Sequence, residues 1–390
     1  GKVIQVIKTK ASINPGQIYR FDQTLKPVKK PNLWSPESPY LYAVWSELTD
    51  GAKVTDSYSS PLGFRWFRWN YSDNCLYING KKTFINGVRR ISEYPWLGGA
   101  FPGWLITEEL QDIKKDLGLN FISTAYFPDD RDVYDLADRL GIIVSGELPN
   151  VRNQAFAPEV QQQMLLEMIR RDRNHPSVMF WGIGNETSRP AEPSSVLAAD
   201  TTRIITGSRV VTAPGVRVHT FEKMGGGNRI TDYVRKIDRG TSSAGRGTAN
   251  PARIVLSASS QKVTADPASV IFVTADITDQ SGKYVSGHSN TLRWSVSGPG
   301  TIAGPAAFDI SSAEEKRLEG VWASGLPCSN VVRSTGKPGK IRVIVSSSGL
   351  ASGVIEIEAG AGKRDDSMIA ETVPEDRGRL PVARQFIPVA

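Results

Sequence analysis

The chain has 390 residues, 39% hydrophobic and 22% charged, a composition that suits a globular protein with room for two or three cores. Its net charge of +7 comes from basic residues scattered along the chain, with no recognition helix, zinc finger or aromatic-basic motif, so nucleic acid is not an expected partner. No apolar run is long enough to cross a bilayer, so no membrane is expected; two distant cysteines (Cys75, Cys328) and three isolated histidines (His175, His219, His288) predict no disulfide framework and no metal site.

Residues 1–62 alternate apolar and polar side chains between turn formers. Val3–Ile7, Leu41–Trp45 and Lys53–Tyr58 read as strands of an antiparallel immunoglobulin-like β-sandwich. Only three to five strands fit, fewer than the roughly seven of such a domain, so the sandwich is expected to be partial.

From Gly63 the pattern changes. Leu76–Lys82 reads as a hairpin about an Asn79-Gly80 turn. Strands and helices then alternate: strand Thr83–Val88, a helix from an N-capping Thr107 to Asp116, strand Leu119–Ile122, helix Asp130–Leu140 closed by Gly141, strand Ile142–Ser145, helix Pro158–Arg173 and strand Val178–Gly182. A helix over Ser195–Ile205 and a fifth strand over Arg209–Thr212 follow. Continuous apolar strands between helices imply a parallel sheet, here a (β/α) TIM-type barrel over 63–224. A closed eight-stranded barrel takes at least about 200 residues, so this one is expected to be incomplete.

Residues 225–250 are rich in glycine, serine and basic residues and read as a linker. Alternation returns over 251–360, with strands at Ala252–Leu256, Val270–Thr274, Leu292–Val296 and Lys340–Val345, and predicts a second immunoglobulin-like β-sandwich. Residues 361–390 form a charged, proline-bearing tail.

The segment Trp181-Gly182-Ile183-Gly184-Asn185-Glu186 carries the chemistry. A buried strand that ends in Asn-Glu sets a carboxylic acid beside an amide at its C-terminal tip, where (β/α) barrels build active sites. With Trp181 limiting solvation, Glu186 could act as a general acid. The competing reading is a strand-end glutamate that caps a loop.

Several motifs in order resemble glycoside hydrolase family 2, the β-galactosidase, β-glucuronidase and β-mannosidase group. Asn32–Tyr42 (NLWSPESPYLY) is similar to the end of that family's immunoglobulin-like domain, and Gly63-Phe64-Arg65, Ile78–Lys81 and Asn86-Gly87-Val88 to its entry into the barrel. Asp138–Val144 with Glu147-Leu148-Pro149 resembles its third strand, and Arg173–Val178 with Trp181–Glu186 its fourth. Residues 251–359 resemble bacterial immunoglobulin-like modules appended to β-galactosidase-type members.

The resemblance implies a retaining exo-β-glycosidase of β-galactosidase type, with no cofactor and an oligosaccharide or β-glycoside as substrate. It implies Glu186 as general acid/base and Asn185 as the contact for the sugar 2-hydroxyl. Trp181, Glu93, Tyr126 and Glu147 are further candidates for lining the sugar pocket; paired instead with Arg89, Arg90 or Arg152, Glu93 and Glu147 would be structural. Trp96 and Trp104 read either as a sugar-stacking platform or as wedges against a sandwich. The resemblance also implies a bacterial periplasmic or secreted protein.

The chain departs from the family in places. Arg89-Arg90-Ile91-Ser92 stands where the family has Asn-Arg-His-Glu, and Ser123 where it has an arginine. No seventh-strand nucleophile is found; of Glu192, Asp200, Glu222, Asp232 and Asp238, Glu222 is the least implausible substitute. The alternative function is therefore a catalytically inactive carbohydrate-binding or structural module. A homo-oligomer is a further expectation, because an open parallel edge invites pairing.

Overall fold

A computed structural model describes residues 2–94, 97–152, 156–208, 250–283, 285, 290–310 and 328–360. Of these, residues 2–91 and 110–208 make one compact unit, and residues 92–109 and 250–360 another.

The first unit opens with an antiparallel pair, β1 (Tyr42–Asp50) and β2 (Lys53–Leu62), with a bulge at Leu48/Thr49. The expected strand at Val3–Ile7 is not formed. It has no ladder partner among the described residues, and Val3 and Val6 are each 70% exposed, so an alternating pattern without a neighbouring strand produces only extended chain. A three-stranded antiparallel sheet follows: β3 (Phe67–Asn70), β4 (Cys75–Ile78) and β5 (Lys81–Thr83). Asn79 (φ 50°) and Gly80 (φ 84°) give the hairpin the doubly left-handed turn that Asn-Gly favours.

Next comes the parallel sheet. Its strands are β6 (Gly87–Ile91), β7 (Phe121–Ala125), β8 (Ile143–Glu147), β9 (Val178–Asn185) and β10 (Ile204–Ser208), side by side in chain order. The described helices are α1 (Gly103–Gln111, extended by a wider turn over Asp112–Asp116), of which residues 103–109 belong to the second unit, and α2 (Arg131–Leu140), α3 (Pro158–Asp172) and α4 (Pro193–Ala199) of the first. Among the described residues the sheet does not close.

Several element ends differ from expectation, each for a local reason. β6 begins at Gly87, later than expected, because Asn120 takes up the backbone of the preceding segment: its side chain donates to Phe84 O at 2.8 Å and accepts from Asn86 N at 2.8 Å. Thr107 does not cap α1. It lies one turn inside, its hydroxyl donating to Gly103 O. Ile204 and Ile205 are strand, not helix: Asp200 takes the chain out of α4 by accepting from the Thr202 amide and hydroxyl, and the β-branched pair then ladders onto Phe180 and Trp181. The fifth strand expected at 209–212 and the expected linker and tail lie outside the described residues, Asn250 excepted. Helix α2 is as read, with Asp130 accepting from Asp132 N and Gly141 (φ 71°) closing it.

The amino end of β9 is the best-anchored part of this unit. The Asp138 carboxylate, fully buried on α2, accepts from His175 Nδ1 at 2.7 Å and from Ser177 N at 2.9 Å. Its backbone carbonyl accepts the indole N–H of the buried Trp34 at 2.8 Å. Arg65 donates to the carbonyls of Pro176 and Val178, and Lys114 to those of Pro36 and Gly141. The motifs NLWSP, GFR, DRLG and RNHPSV, dispersed in sequence, thus meet here. His175 is not isolated: Asp135, Asp138 and His175 gather within 4.8 Å. Its Nδ1 is already spent on Asp138, so the trio is an internal ion pair. Burial alone would lower the His175 pKa, but the Asp138 hydrogen bond and the charges of Asp138, Asp135 and Asp172 raise it on balance. Its contribution to stability is therefore full below about pH 6.5 and fades as pH climbs through the raised value.

Among the described residues of the second unit, nine strands form two sheets. One orders β11 (Arg253–Ala258), β13 (Val270–Thr278), β17 (Cys328–Ser334) and β15 (Gly300–Ile302); the other orders β12 (Lys262–Thr264), β19 (Gly353–Gly360), β18 (Gly339–Ser346), β14 (Asn290–Ser297) and β16 (Ala307–Ile310). Ile254, Ile271, Val273, Leu292, Trp294, Ile341, Val343 and Ile357 fill the space between them, as two-residue alternation requires. This is the second sandwich expected from the sequence.

Asp138→Ala strands His175 and Ser177 N in a dry site. It should cost the first unit about 3–5 kcal/mol in a denaturant titration while leaving the sandwich transition unmoved.

Candidate active site

The candidate residues lie at the carboxyl ends of the parallel strands. β9 ends at Asn185, which is 3% exposed. Its backbone is clamped to the loop after β8: Asn185 N donates to Asn150 O at 2.9 Å, and Arg152 N donates to Asn185 O at 3.1 Å. Asn150 is itself tied down through Nδ2 to Arg189 O. Glu186, the next residue, has φ 50°, a left-handed conformation that costs a non-glycine residue about 1–2 kcal/mol. Its carboxylate, 30% exposed, accepts from Arg152 Nε at 3.1 Å. Observed strain of this kind gathers at functional sites.

Glu147 ends β8 and is nearly buried. Its Oε2 lies 3.9 Å from Arg89 Nη2, an ion pair without a hydrogen bond, and its Oε1 has no hydrogen-bond partner among the described residues. Burial pushes the carboxyl up to about 7, with Arg89 holding it back. A carboxyl so poised donates or accepts near neutral pH. Arg89, from β6, donates through Nη1 to Asn185 Oδ1 at 2.9 Å, and its guanidinium lies 5.2 Å from the centre of the Tyr126 ring. Arg89 thus joins Asn185, Glu147 and Tyr126 in one cluster, and Glu186 follows Asn185 directly.

One sequence candidate falls elsewhere. Trp181 is fully buried, donates its indole N–H to Asp200 Oδ2 at 2.9 Å and lies under the Arg203 guanidinium. It is packing within the sheet, inaccessible to a sugar, and the expectation that it lines the pocket is corrected. Glu93 is exposed beyond the end of β6 and belongs to the second unit. The basic residues distribute themselves as Arg89 to Glu147, Arg90 to the buried Asp129, and Arg152 to Glu186. Trp104 meets Phe272 edge-on within the second unit, ring centroids 6.0 Å apart, as the wedge reading had it; Trp96 and Glu222 lie outside the described residues. Arg89 was legible only as an ion-pair partner. The signal for more was its place in β6 directly across from Ser123 in β7, and register is not visible in sequence.

Three family descriptions match in chain order: "Glycosyl hydrolases family 2" over residues 2–65, "Glycosyl hydrolases family 2, TIM barrel domain" over 70–233 and "Glycoside hydrolase family 2 C-terminal domain 5" over 254–356. The chain belongs to glycoside hydrolase family 2. Among its family 2 relatives are a putative β-glucuronidase of Formosa agariphila, 35% identical over 163 residues (41% of this chain, 19% of that protein), and a β-galactosidase of Thermoanaerobacter pseudethanolicus, 32% identical over 155 residues (39% and 21%). The chain therefore spans about a fifth of the length of these curated relatives. The crystal structure of a β-glycosidase from Bacteroides vulgatus superposes with a TM-score of 0.66 at 18% identity, covering 85% of this chain and 71% of that one. That likeness concerns the fold: an immunoglobulin-like part, a TIM-type barrel part that does not close among the described residues, and a C-terminal immunoglobulin-like sandwich.

Because Glu147 keeps its proton to higher pH when folded than when unfolded, it costs stability as pH rises from about 4.5 to 7. Glu147→Gln removes that cost. Relative to wild type, the variant should gain up to about 3 kcal/mol between pH 4.5 and pH 8, read from denaturant midpoints across pH.

Proposed function

We propose that the chain is a retaining exo-β-glycosidase in which Glu186 is the general acid/base and Asn185 binds the sugar 2-hydroxyl. One observation carries this reading: a partly exposed carboxyl at the tip of a parallel strand, held in a left-handed conformation directly after a buried, clamped amide. In the first step Glu186 gives its proton to the glycosidic oxygen as that bond breaks and a second carboxylate bonds to the anomeric carbon. In the second, ionised Glu186 takes a proton from water, whose oxygen displaces the enzyme carboxylate. Glu147 and Tyr126, joined to Asn185 through Arg89, are proposed to face the sugar, Glu147 through its unpartnered Oε1.

A β-galactoside is the proposed substrate. The relatives' names, β-galactosidase and β-glucuronidase, make a β-glucuronide the competing outcome. A second reading, a carbohydrate-binding module without turnover, draws on one fact: among the described residues the parallel sheet stops at its fifth strand. Association of two copies through the open sheet edges is proposed as one way to complete the sheet.

The test is hydrolysis of p-nitrophenyl β-galactoside, β-glucuronide, β-mannoside and β-glucoside by the chain and by Glu186→Gln, with size-exclusion chromatography alongside. Turnover of the galactoside that falls by about 10²–10⁴ in the variant is expected. A folded chain that binds these sugars without turning any over would favour the binding module.

A further inference from the structure

β6 and β9 are not neighbours. β7 and β8 lie between them, a separation of about 14 Å in a flat sheet and farther than an arginine side chain extends. Yet Arg89 of β6 reaches Asn185 of β9 at 2.9 Å. The sheet is therefore curved as a barrel wall, and Arg89 crosses its concave face. Space for that crossing comes from the strands in between: Arg89 is in register with Ser123, and Ser123 with Ser145, so two small side chains share its face. Tyr126, with its ring centre 5.2 Å from the guanidinium, and Glu147, 3.9 Å away, also neighbour Arg89. The neighbouring Arg90, pointing the other way, is consumed by buried Asp129.

Arginine carries only donors. The Asn185 atom it touches must therefore be Oδ1, which turns the Asn185 NH₂ group away from Arg89. Asn185 has only one such amide, so the contact decides whether its free end donates or accepts. We propose that Arg89 is a positioning residue that holds the Asn185 carboxamide with its NH₂ free to donate to the sugar 2-hydroxyl. This inference rests on the glycosidase reading of Asn185, but the orientation of the amide can be tested without it.

Two measurements separate the claims. In the chain selectively labelled with ¹⁵N-asparagine, the Asn185 side-chain amide, assigned by its loss in Asn185→Ser, should shift and broaden in Arg89→Met and return toward its wild-type position in Arg89→Lys. An amide signal unmoved in a folded Arg89→Met overturns the proposal. In kinetics, Arg89→Met should cut kcat/KM on a p-nitrophenyl β-glycoside roughly 10- to 100-fold, as misplacing a reacting or binding group does, and should have little effect on the 2-deoxy counterpart, which lacks the hydroxyl that Asn185 binds. Equal losses on both substrates would make Arg89 merely structural and overturn the proposal. A wild-type chain inert toward every glycoside, with the amide still moved by Arg89→Met, would defeat the glycosidase reading and leave Arg89 as the residue that orients Asn185.

Discussion

Much of the first unit depends on one buried carboxylate. Asp138 accepts from His175 and from the backbone of Ser177, while its own carbonyl holds the Trp34 indole. A buried charge is tolerated only when its lone pairs are satisfied, and the segment His175–Ser177, remote from α2 in sequence, does so here. The result is a fixed origin for β9. From Val178 the strand runs about 23 Å at the usual rise before it delivers Asn185, so pinning its start also sets the height at which Glu186 emerges. The ends of this strand have different surroundings: the amino end is buried and anchored through Asp138, and the carboxyl end leads into the partly exposed acid of Glu186.

The carboxyl end draws on the same economy of charge. Arg89, Arg90 and Arg152 each meet a carboxylate, but on different terms. The Arg90–Asp129 pair is sealed and reads as structural. The Arg152–Glu186 pair is open to solvent and weak, which suits the proposed role of Glu186. Arg89 stays 3.9 Å from Glu147 and spends its hydrogen bond on Asn185 instead, which leaves Glu147 under-compensated and its pKa near 7. One guanidinium thus links the orientation of an amide to the protonation of a carboxyl.

The sequence was legible where the chain carries its own punctuation. Asp130 and Gly141 bound α2, Pro158 opens α3, and Asn79-Gly80 turns the hairpin, because each acts on its own backbone. Strand limits were read less well. Parallel strands buried on both faces show no alternation to mark their ends, so β7 and β9 run three residues beyond the expected ones and β8 two. Val3–Ile7 shows the reverse error, a clean alternation with nothing to pair against. At the site, Asn185, Glu186 and Glu147 were visible as strand-tip residues. Trp181 was misjudged because its partner Asp200 lies one helix later, and the role of Arg89 depends on curvature and register across four strands, which no local pattern records.

The most direct test of Glu186 as the proton donor is the dependence of rate on the leaving group in Glu186→Ala. A dinitrophenyl leaving group departs without help, whereas a methyl or sugar alkoxide needs a proton at its oxygen. The account predicts that the first, bond-breaking step in Glu186→Ala stays near the wild-type rate for a dinitrophenyl β-glycoside and slows progressively as the leaving group becomes more basic. A loss of equal size across all leaving groups would contradict it, because a residue that gives no proton to the departing oxygen has no reason to distinguish them.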